Sequence, residues 1–576
     1  MNLKTSLGIA GCALALAGLA PTPAKACGGF FCNNTQPVNQ AAERIIFSQN
    51  ADGTTTAVIQ IQYSGPSEEF AWMLPVQGSP EIGVSSNSAF AALQQATNPT
   101  YQLQTEVEGS CQDDGFLGGR GGSPTFDSAG AADSGAAPSE PEVSVVDAGS
   151  VGPYDFVIIS VNPDAEDIAT VATDWLVENE YDVSPLGRDR LVPYLESGMN
   201  LLAFRLSKGR DAGEIRPVML SFGEGLPSIP LRPTAAAADP DMGIMVWVLG
   251  ESRSIPANYR SLELNEARIN WFQPSTNYND VVTLAANEAG GQGFVTEFAG
   301  DAAGFEATVL PPSTDDAFAN LSERDWTGQH RDLVVQATQL FQSFQNFGPF
   351  GGGTAWDGVA ESVLAEVPRP ADVPEDQWIA SPLEWIWNLD DTVEGFDPAS
   401  FLARLEADVL EPVRATAALF ESAAKVTRFY TTMSPDEMTV DPVFDFNADL
   451  PDYSNTHLQT RIIECNPSVS QFDAPWRIQF DDGTVVRGDG QTWPLLGNDA
   501  LPANRRVLRV GTEGEGEVII DNSAAILAVV NVSNADHPRR DGRMAGGTCS
   551  ALGGAAPLGV LGAFGLSILA IRRRRA

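Results

Sequence analysis

Apolar and polar positions alternate with period two through "ERIIFSQNADGTTTAVIQIQYSG", which predicts a β-hairpin. One strand covers 45–48, Asp52-Gly53 marks the turn, and the second strand covers 57–63. Ala57, Ile59, Ile61 and Tyr63 alternate with Val58, Gln60 and Gln62, so one face of this strand is expected to be buried. Short apolar runs predict further strands over 70–76, 154–161, 199–206 and 244–249. The spacing changes to a helical one over 87–96, with Asn87 as N-cap, and again over 164–180. In the latter, Ile168, Val171, Ala172, Trp175 and Leu176 form one apolar stripe. Hairpins combined with a strand–helix–strand unit argue for an α+β fold.

From 305 onward the pattern is helical. It covers 317–344, and after Gly351-Gly352-Gly353 and the Pro-rich stretch 368–382 it resumes where Asp397 caps a helix with Pro398 at its first position. That helix is expected to reach about residue 430, with a kink at Pro412. A terminal β section follows at 460–465, 476–480, 507–510 and 524–532, with a turn at Asp482-Gly483. The resulting organisation is a leader (1–26), an N-terminal α+β domain (27–304) and a helical section with its connection (305–390). A helix plus β section (391–545) and a C-terminal signal (546–576) complete it. Residues 112–152, rich in Gly, Ser, Ala, Asp and Pro, are expected to be a low-complexity mobile loop inside the first domain.

Both ends predict export. Lys4, the apolar run 7–20 and Ala24-Lys25-Ala26 have the form of a secretory signal, cut between Ala26 and Cys27. Ile9-Ala10-Gly11-Cys12 has the outline of a lipobox, but much of the apolar run lies after Cys12. Residues 552–571 are twenty without a charge, long enough to span a bilayer as a transmembrane helix, and Arg572, Arg573, Arg574 and Arg575 follow at once. Small residues flank Cys549 just before this span. A cysteine, an apolar span and a basic tail in that order resemble the MYXO-CTERM sorting signal of myxobacterial surface proteins. That resemblance implies processing and anchoring at Cys549 and removal of the span; the plain alternative is a single-pass tail anchor.

Charge narrows the partners. The chain has a formal charge of −41, and without the leader and the arginine tail the body stands at −47. Such a body repels nucleic acid and anionic membrane surfaces. Only Lys208 and Lys425 remain as lysines after the leader, so nearly all positive charge is arginine. Four cysteines of the exported body, Cys27, Cys32, Cys111 and Cys465, make an even set for an oxidising compartment. The pairing favoured is Cys27–Cys32, across the flexible Gly28-Gly29, and Cys111–Cys465; three pairings are open. A redox pair would want C-x-x-C, and zinc would want histidines, of which there are only His330, His457 and His537.

The stretches "ACGGFFC", "QPVNQAAERIIF", "FAWMLPV", "VGPYDFVII", "DMGIMVWVLG", "IPANYRSLELNEARINW" and "TTMSPDEMTVDPVFDFNADLPDYSNTH" resemble a family of exported bacterial proteins, common in myxobacteria, known as a domain of unknown function. The likeness runs with gaps over 27–300 and again over 431–465. It implies a shared fold and export, and no reaction.

Candidate chemistry is sparse. Ser422 and Lys425 fit S-x-x-K without its companion motifs. Asp445, Asn447 and Asp449 alternate as oxygen ligands would for calcium, although the turn glycine and closing glutamate of an EF-hand loop are missing; otherwise they form an Asx-rich turn. "ELNEARINW" offers Glu263, Glu266 and Arg268, and Glu266 with Glu43 could form a carboxylate pair; the bland reading is an Arg–Glu ion pair. Trp378, Trp385 and Trp387 cluster as sugar-stacking rings or as core. The expectation is an exported, surface-anchored, non-enzymatic protein of binding, adhesion or envelope structure. It would meet the export and sorting machinery, touch the membrane through its C-terminal segment, and need no cofactor. The alternatives are a surface hydrolase acting on polysaccharide or peptide, and a calcium-dependent adhesion module.

Overall fold

The hairpin predicted near the start lies inside a large mixed sheet. The computed structural model describes residues 42–60, 71–111, 143–162, 165, 167–179, 181, 188–207, 215–236, 238–341, 346–347, 354–355, 358–496 and 500–537. Strands Ala42–Gln49 and Thr54–Gln60 pair antiparallel, with Gly53 at φ +87° in the turn between them. A residue with a Cβ is strained at that φ, which is why glycine closes the turn. The Ala42–Gln49 strand also pairs parallel with Met242–Gly250, which in turn pairs antiparallel with Lys425–Met433. From edge to edge the ten strands are Glu517–Asp521, Asn504–Arg509, Arg260–Leu264, Gly293–Asp301, Lys425–Met433, Met242–Gly250, Ala42–Gln49, Thr54–Gln60, Val218–Glu224 and Glu81–Val84.

This sheet is covered on both faces. Ile46, Val58, Trp247 and Val426 pack against the helical middle section, including Phe318, Leu333, Phe401 and Phe420. Ile45, Phe47, Ile59 and Val246 pack instead against a four-stranded sheet through Trp72, Tyr154 and Phe204. Helices Ile168–Glu178 and Arg188–Glu196 close the far side of that second sheet. The expectation of one buried face on the second hairpin strand is therefore corrected: Ala57, Val58, Ile59 and even Gln60 are all buried, because layers press on both sides. A third core joins helix Tyr278–Glu288 and helix Ser523–Asp536 to the sheet of Thr100–Glu108, Thr456–Glu464, Pro475–Gln479 and Val485–Asp489.

The fold class is α+β, with helices concentrated in the middle of the chain and strands toward both ends. Strand Lys425–Met433 sits between two strands of the N-terminal section. The boundaries at 304/305 and 390/391 thus fall inside one compact unit, which runs to His537. Several local expectations are revised. The helix over 317–344 is two, Pro312–Glu323 and His330–Leu340, broken where Gly328 takes φ +68°. The helix capped by Asp397 passes through a π-turn at Glu406–Leu410, just before Pro412, and ends at Glu421 rather than near 430. Residues 524–532, expected as strand, lie in the helix Ser523–Asp536. A short apolar run does not distinguish the two states, and three alanines in it favour helix. The expected loop 112–152 gives way at its end to the strand Val143–Val151, paired with Tyr154–Val161. The N-cap of the first helix is Ser86, whose hydroxyl accepts from Ser88 N, not Asn87.

Cys111 and Cys465 form a disulfide, with Cα atoms 4.8 Å apart and a sequence separation of 354. It closes the end of a parallel pair, Thr100–Glu108 with Thr456–Glu464, and Cys465 N donates to Glu108 O at 2.8 Å. The expected span 552–571, the leader with Ala26, Cys27 and Cys32, and Cys549 with its arginine tail lie outside the described residues. Among the described residues, no helix is long and apolar enough to cross a membrane. Replacing both Cys111 and Cys465 by alanine should lower stability by about 2–5 kcal/mol, because the open chain gains conformational freedom when unfolded. Urea unfolding under non-reducing conditions measures this, and an unchanged midpoint would contradict it.

Candidate functional site

The parallel pair stapled by the disulfide opens, at its other end, into a cleft of about 210 Å³. Residue pairing places Tyr101 opposite His457, and the two rings stack at 4.5 Å between centroids and 12° between planes. The backbone below holds this register: Thr100 N donates to Asn455 O at 2.7 Å, and Asn455 Nδ2 donates to Asn98 O at 2.9 Å. His457 Nδ1 lies 2.6 Å from Glu266 Oε1. Glu266 begins a 3-10 turn, Glu266–Arg268, capped by Asn265, which accepts from Ala267 N. Trp271 Nε1 donates to Glu266 O at 3.0 Å and fixes this turn from behind.

The cleft is lined by Tyr101, Glu263, Glu266, Tyr278, Glu297, Tyr453, His457 and Arg505, with Phe480, Asp481, Asp482 and Thr484 from a hairpin turn. No Ser, Cys or Lys side chain lines it. Its acids are largely held. Glu263 faces Arg506 in register and accepts from Arg506 Nε and one terminal nitrogen at 2.7 and 2.8 Å, and from Arg505 at 2.7 Å. Glu297 contacts Arg428 Nε at 2.7 Å, with the two side chains only 1% and 2% exposed, and accepts from the Tyr278 hydroxyl at 2.5 Å. Arg428 also donates to Asn98 Oδ1 at 2.8 Å and Thr97 Oγ1 at 3.1 Å, at the end of the first helix.

Burial, then the nearby Glu266, holds the Tyr101 phenol well above its usual range; burial, then Glu297, does the same at Tyr278. Burial, then Glu266, pushes Tyr453 up to about 12. All three phenols therefore stay neutral O–H donors at any physiological pH. Tyr278 spends its hydrogen on Glu297, so the site can offer carboxylate acceptors, the Tyr101 and Tyr453 hydroxyls as donors, and an imidazole oriented by a carboxylate.

The residues singled out from the sequence are distributed as follows. Glu263 and Glu266 both line the cleft; Arg268 turns away to donate to Leu501 O. The Arg–Glu ion pair expected there exists, but its arginines are Arg505 and Arg506. Glu43 does not join Glu266. It alternates with Arg44 on its strand and shares a face with Ile45 and Phe47, whereas Arg428 aligns with Trp247 and Ile46 on the other face. Lys425 Nζ binds Asp301 and Asp452 at 2.7 and 2.8 Å, and Ser422 Oγ donates to Leu419 O, so S-x-x-K is not assembled. Asp445, Asn447 and Asp449 tie down their loop: Asp445 accepts from Phe446 N, Asn447 donates to Gly511 O and Gly514 O, and Asp449 accepts from Gly514 N. Among the described residues, no group of three or more His, Cys, Asp or Glu is placed to hold a metal ion. Trp378 is buried in the core, Trp385 packs against it and Trp387 is exposed. Sequence reasoning missed Tyr101, Glu297, Arg428 and His457. The available signal was that His457, one of only three histidines, closes the last of the stretches quoted above.

A family model described as "Uncharacterized protein conserved in bacteria (DUF2330)" matches residues 21–342. No curated protein matches the chain. Among solved structures, two crystal structures of a mutated baculovirus P35 after caspase cleavage align at 9% identity. They cover 41% and 39% of this chain and 72% and 76% of theirs, with TM-scores of 0.22 and 0.21.

Glu43 generates a pH prediction. It is buried, its Oε2 has no hydrogen-bond partner among the described residues, and burial pushes its carboxyl up from 4.5 to about 7. A carboxyl raised in the folded state favours the neutral form there. The resulting penalty is absent below pH 4.5, grows as pH rises to about 7, and is constant above. Its full size is about 3 kcal/mol. Glu43→Gln should match the parent near pH 4.5 and be the more stable of the two at pH 8; parallel stability profiles in urea would contradict this.

Proposed function

The chain belongs to the DUF2330 family of uncharacterized proteins conserved in bacteria, and on that premise we propose that it is an exported, surface-attached protein that binds a small polar ligand, or one group of a larger one, in the Tyr101–His457 cleft. One observation carries the reading. The cleft's inner carboxylates are each fixed by a partner of their own. That is an arrangement for holding a ligand in a set geometry. Export is supported by the leader and C-terminal signal read from the sequence, whose likeness to a myxobacterial sorting signal makes Cys549 the attachment point. The Cys111–Cys465 disulfide agrees with an oxidising compartment.

The second reading, a surface hydrolase on polysaccharide or peptide, draws on the Glu266–His457 pair, since an imidazole oriented by a carboxylate can serve as a general base. Calcium-dependent adhesion has less support, because the Asp445–Asp449 side chains are occupied by backbone partners.

Incubation with oligosaccharide and peptide libraries, followed by mass spectrometry, separates the first two. Binding predicts retained, uncleaved ligand; products that vanish in His457→Gln would establish the hydrolase instead. Peptide mapping without reduction, on protein taken from cells, should find a mature N-terminus at Cys27 linked to Cys32 and a chain end near Cys549. Free Cys27 and Cys32, or an intact leader, would overturn the export reading.

A further inference from the structure

Resting on the reading of this cleft as a binding site, we propose that its ligand is an alkylammonium group. The first argument is charge. Five carboxylates line the cleft against one arginine, Arg505. Glu263 and Glu297 are neutralised by Arg505, Arg506 and Arg428, while Glu266 has only an imidazole as partner. Asp481 and Asp482 make no ion pair in the described structure; Asp482 only accepts from Thr484 N within its own turn. The mouth of the cleft therefore carries uncompensated negative charge, on a body whose own charge extends the same field.

The second argument concerns shape. The described carboxylates are not clustered for a metal ion. They are spread along the cleft wall, which suits a cation larger than a metal ion. A neutral pyranose would want a free aromatic platform, but Tyr101 is stacked on His457 and abutted by Trp271 at 5.0 Å. A primary ammonium has three N–H donors and no acceptor, which complements the carboxylates of Glu266 and the Asp481-Asp482 turn.

The third argument comes from the chain itself. Past the leader it carries only two lysines, Lys208 and Lys425, against a majority of arginines. Lys425 is held between Asp301 and Asp452. Few ammonium groups of the chain itself therefore compete for such a site.

The ammonium could come from a free diamine or from a lysine side chain, and the test distinguishes them. Oxidised protein is titrated by calorimetry with cadaverine, with a blocked Gly-Lys-Gly peptide, with the neutral isostere 1,5-pentanediol, and with a neutral oligosaccharide. Saturable binding of cadaverine, or of the lysine peptide, without binding of the diol is the expected result. A preference for the peptide identifies the ligand as a protein lysine, and a preference for cadaverine as a free amine. Glu266→Gln should weaken binding about tenfold, and Asp481→Asn, an exposed change that leaves the fold intact, by about threefold. Raising salt from about 50 to about 500 mM should weaken it further. Equal binding of cadaverine and the diol, or affinities unmoved by both substitutions, would overturn the proposal. If the oligosaccharide alone binds, the cleft reading stands and the ammonium falls; if nothing binds, both fall.

Discussion

The Arg428–Glu297 pair is the interaction on which the cleft depends. Both side chains are almost fully withdrawn from water. Either charge alone would cost several kcal/mol there, so each position constrains the other. Arg428 has further partners to satisfy, and they come from the end of the first helix: Thr97, Asn98 and the Gln94 carbonyl. Trp247 lies under its guanidinium at 5.5 Å and gives its own Nε1 hydrogen to Thr97. The helix end is thereby fixed on the sheet, and the strand bearing Tyr101 starts two residues beyond it. On the other side, a register shift between Thr296 and Phe298 delivers Glu297 to the face that carries Arg428. A bulge and one buried arginine therefore set where the first aromatic wall of the cleft stands.

Much of the fold was legible because its signals are local. Period-two alternation and a Gly turn identified the hairpin, and Asp397-Pro398 identified a helix start to the residue. The Cys111–Cys465 disulfide was the pairing favoured, of three that cysteine parity left open. What stayed hidden is non-local. No feature near Lys425–Met433 announces that this strand, far along the chain, inserts between Met242–Gly250 and Gly293–Asp301. The same non-locality hid the site. Glu263 and Glu266 were visible as acids, but Tyr101 and His457 sit in ordinary strand sequence and acquire meaning only through a parallel pairing across more than half the chain. Arg428 falls where the sequence predicted the last turn of a helix, and lies instead in a strand, buried against Glu297.

The cleft also draws on both sides of the family match. Tyr101, Glu263, Glu266, Tyr278 and Glu297 fall within the matched residues, whereas Arg428, Tyr453, His457 and Arg505 come from beyond residue 342. Strands from the later region occupy inner positions of the ten-stranded sheet, so the matched segment does not close its own core. Burial on both faces of the central strands follows from this arrangement, as does the near absence of polar alternation in Met242–Gly250, which is buried along its whole length.

The Cys111–Cys465 bond makes a covalent ring of most of the body. That ring matters wherever a protease meets the chain. A single cut anywhere between those two cysteines yields two pieces that remain joined, with the Tyr101 and His457 strands still held in register by the same bond. Within the ring only a second cut can release a fragment, so the particle outlasts a first nick there.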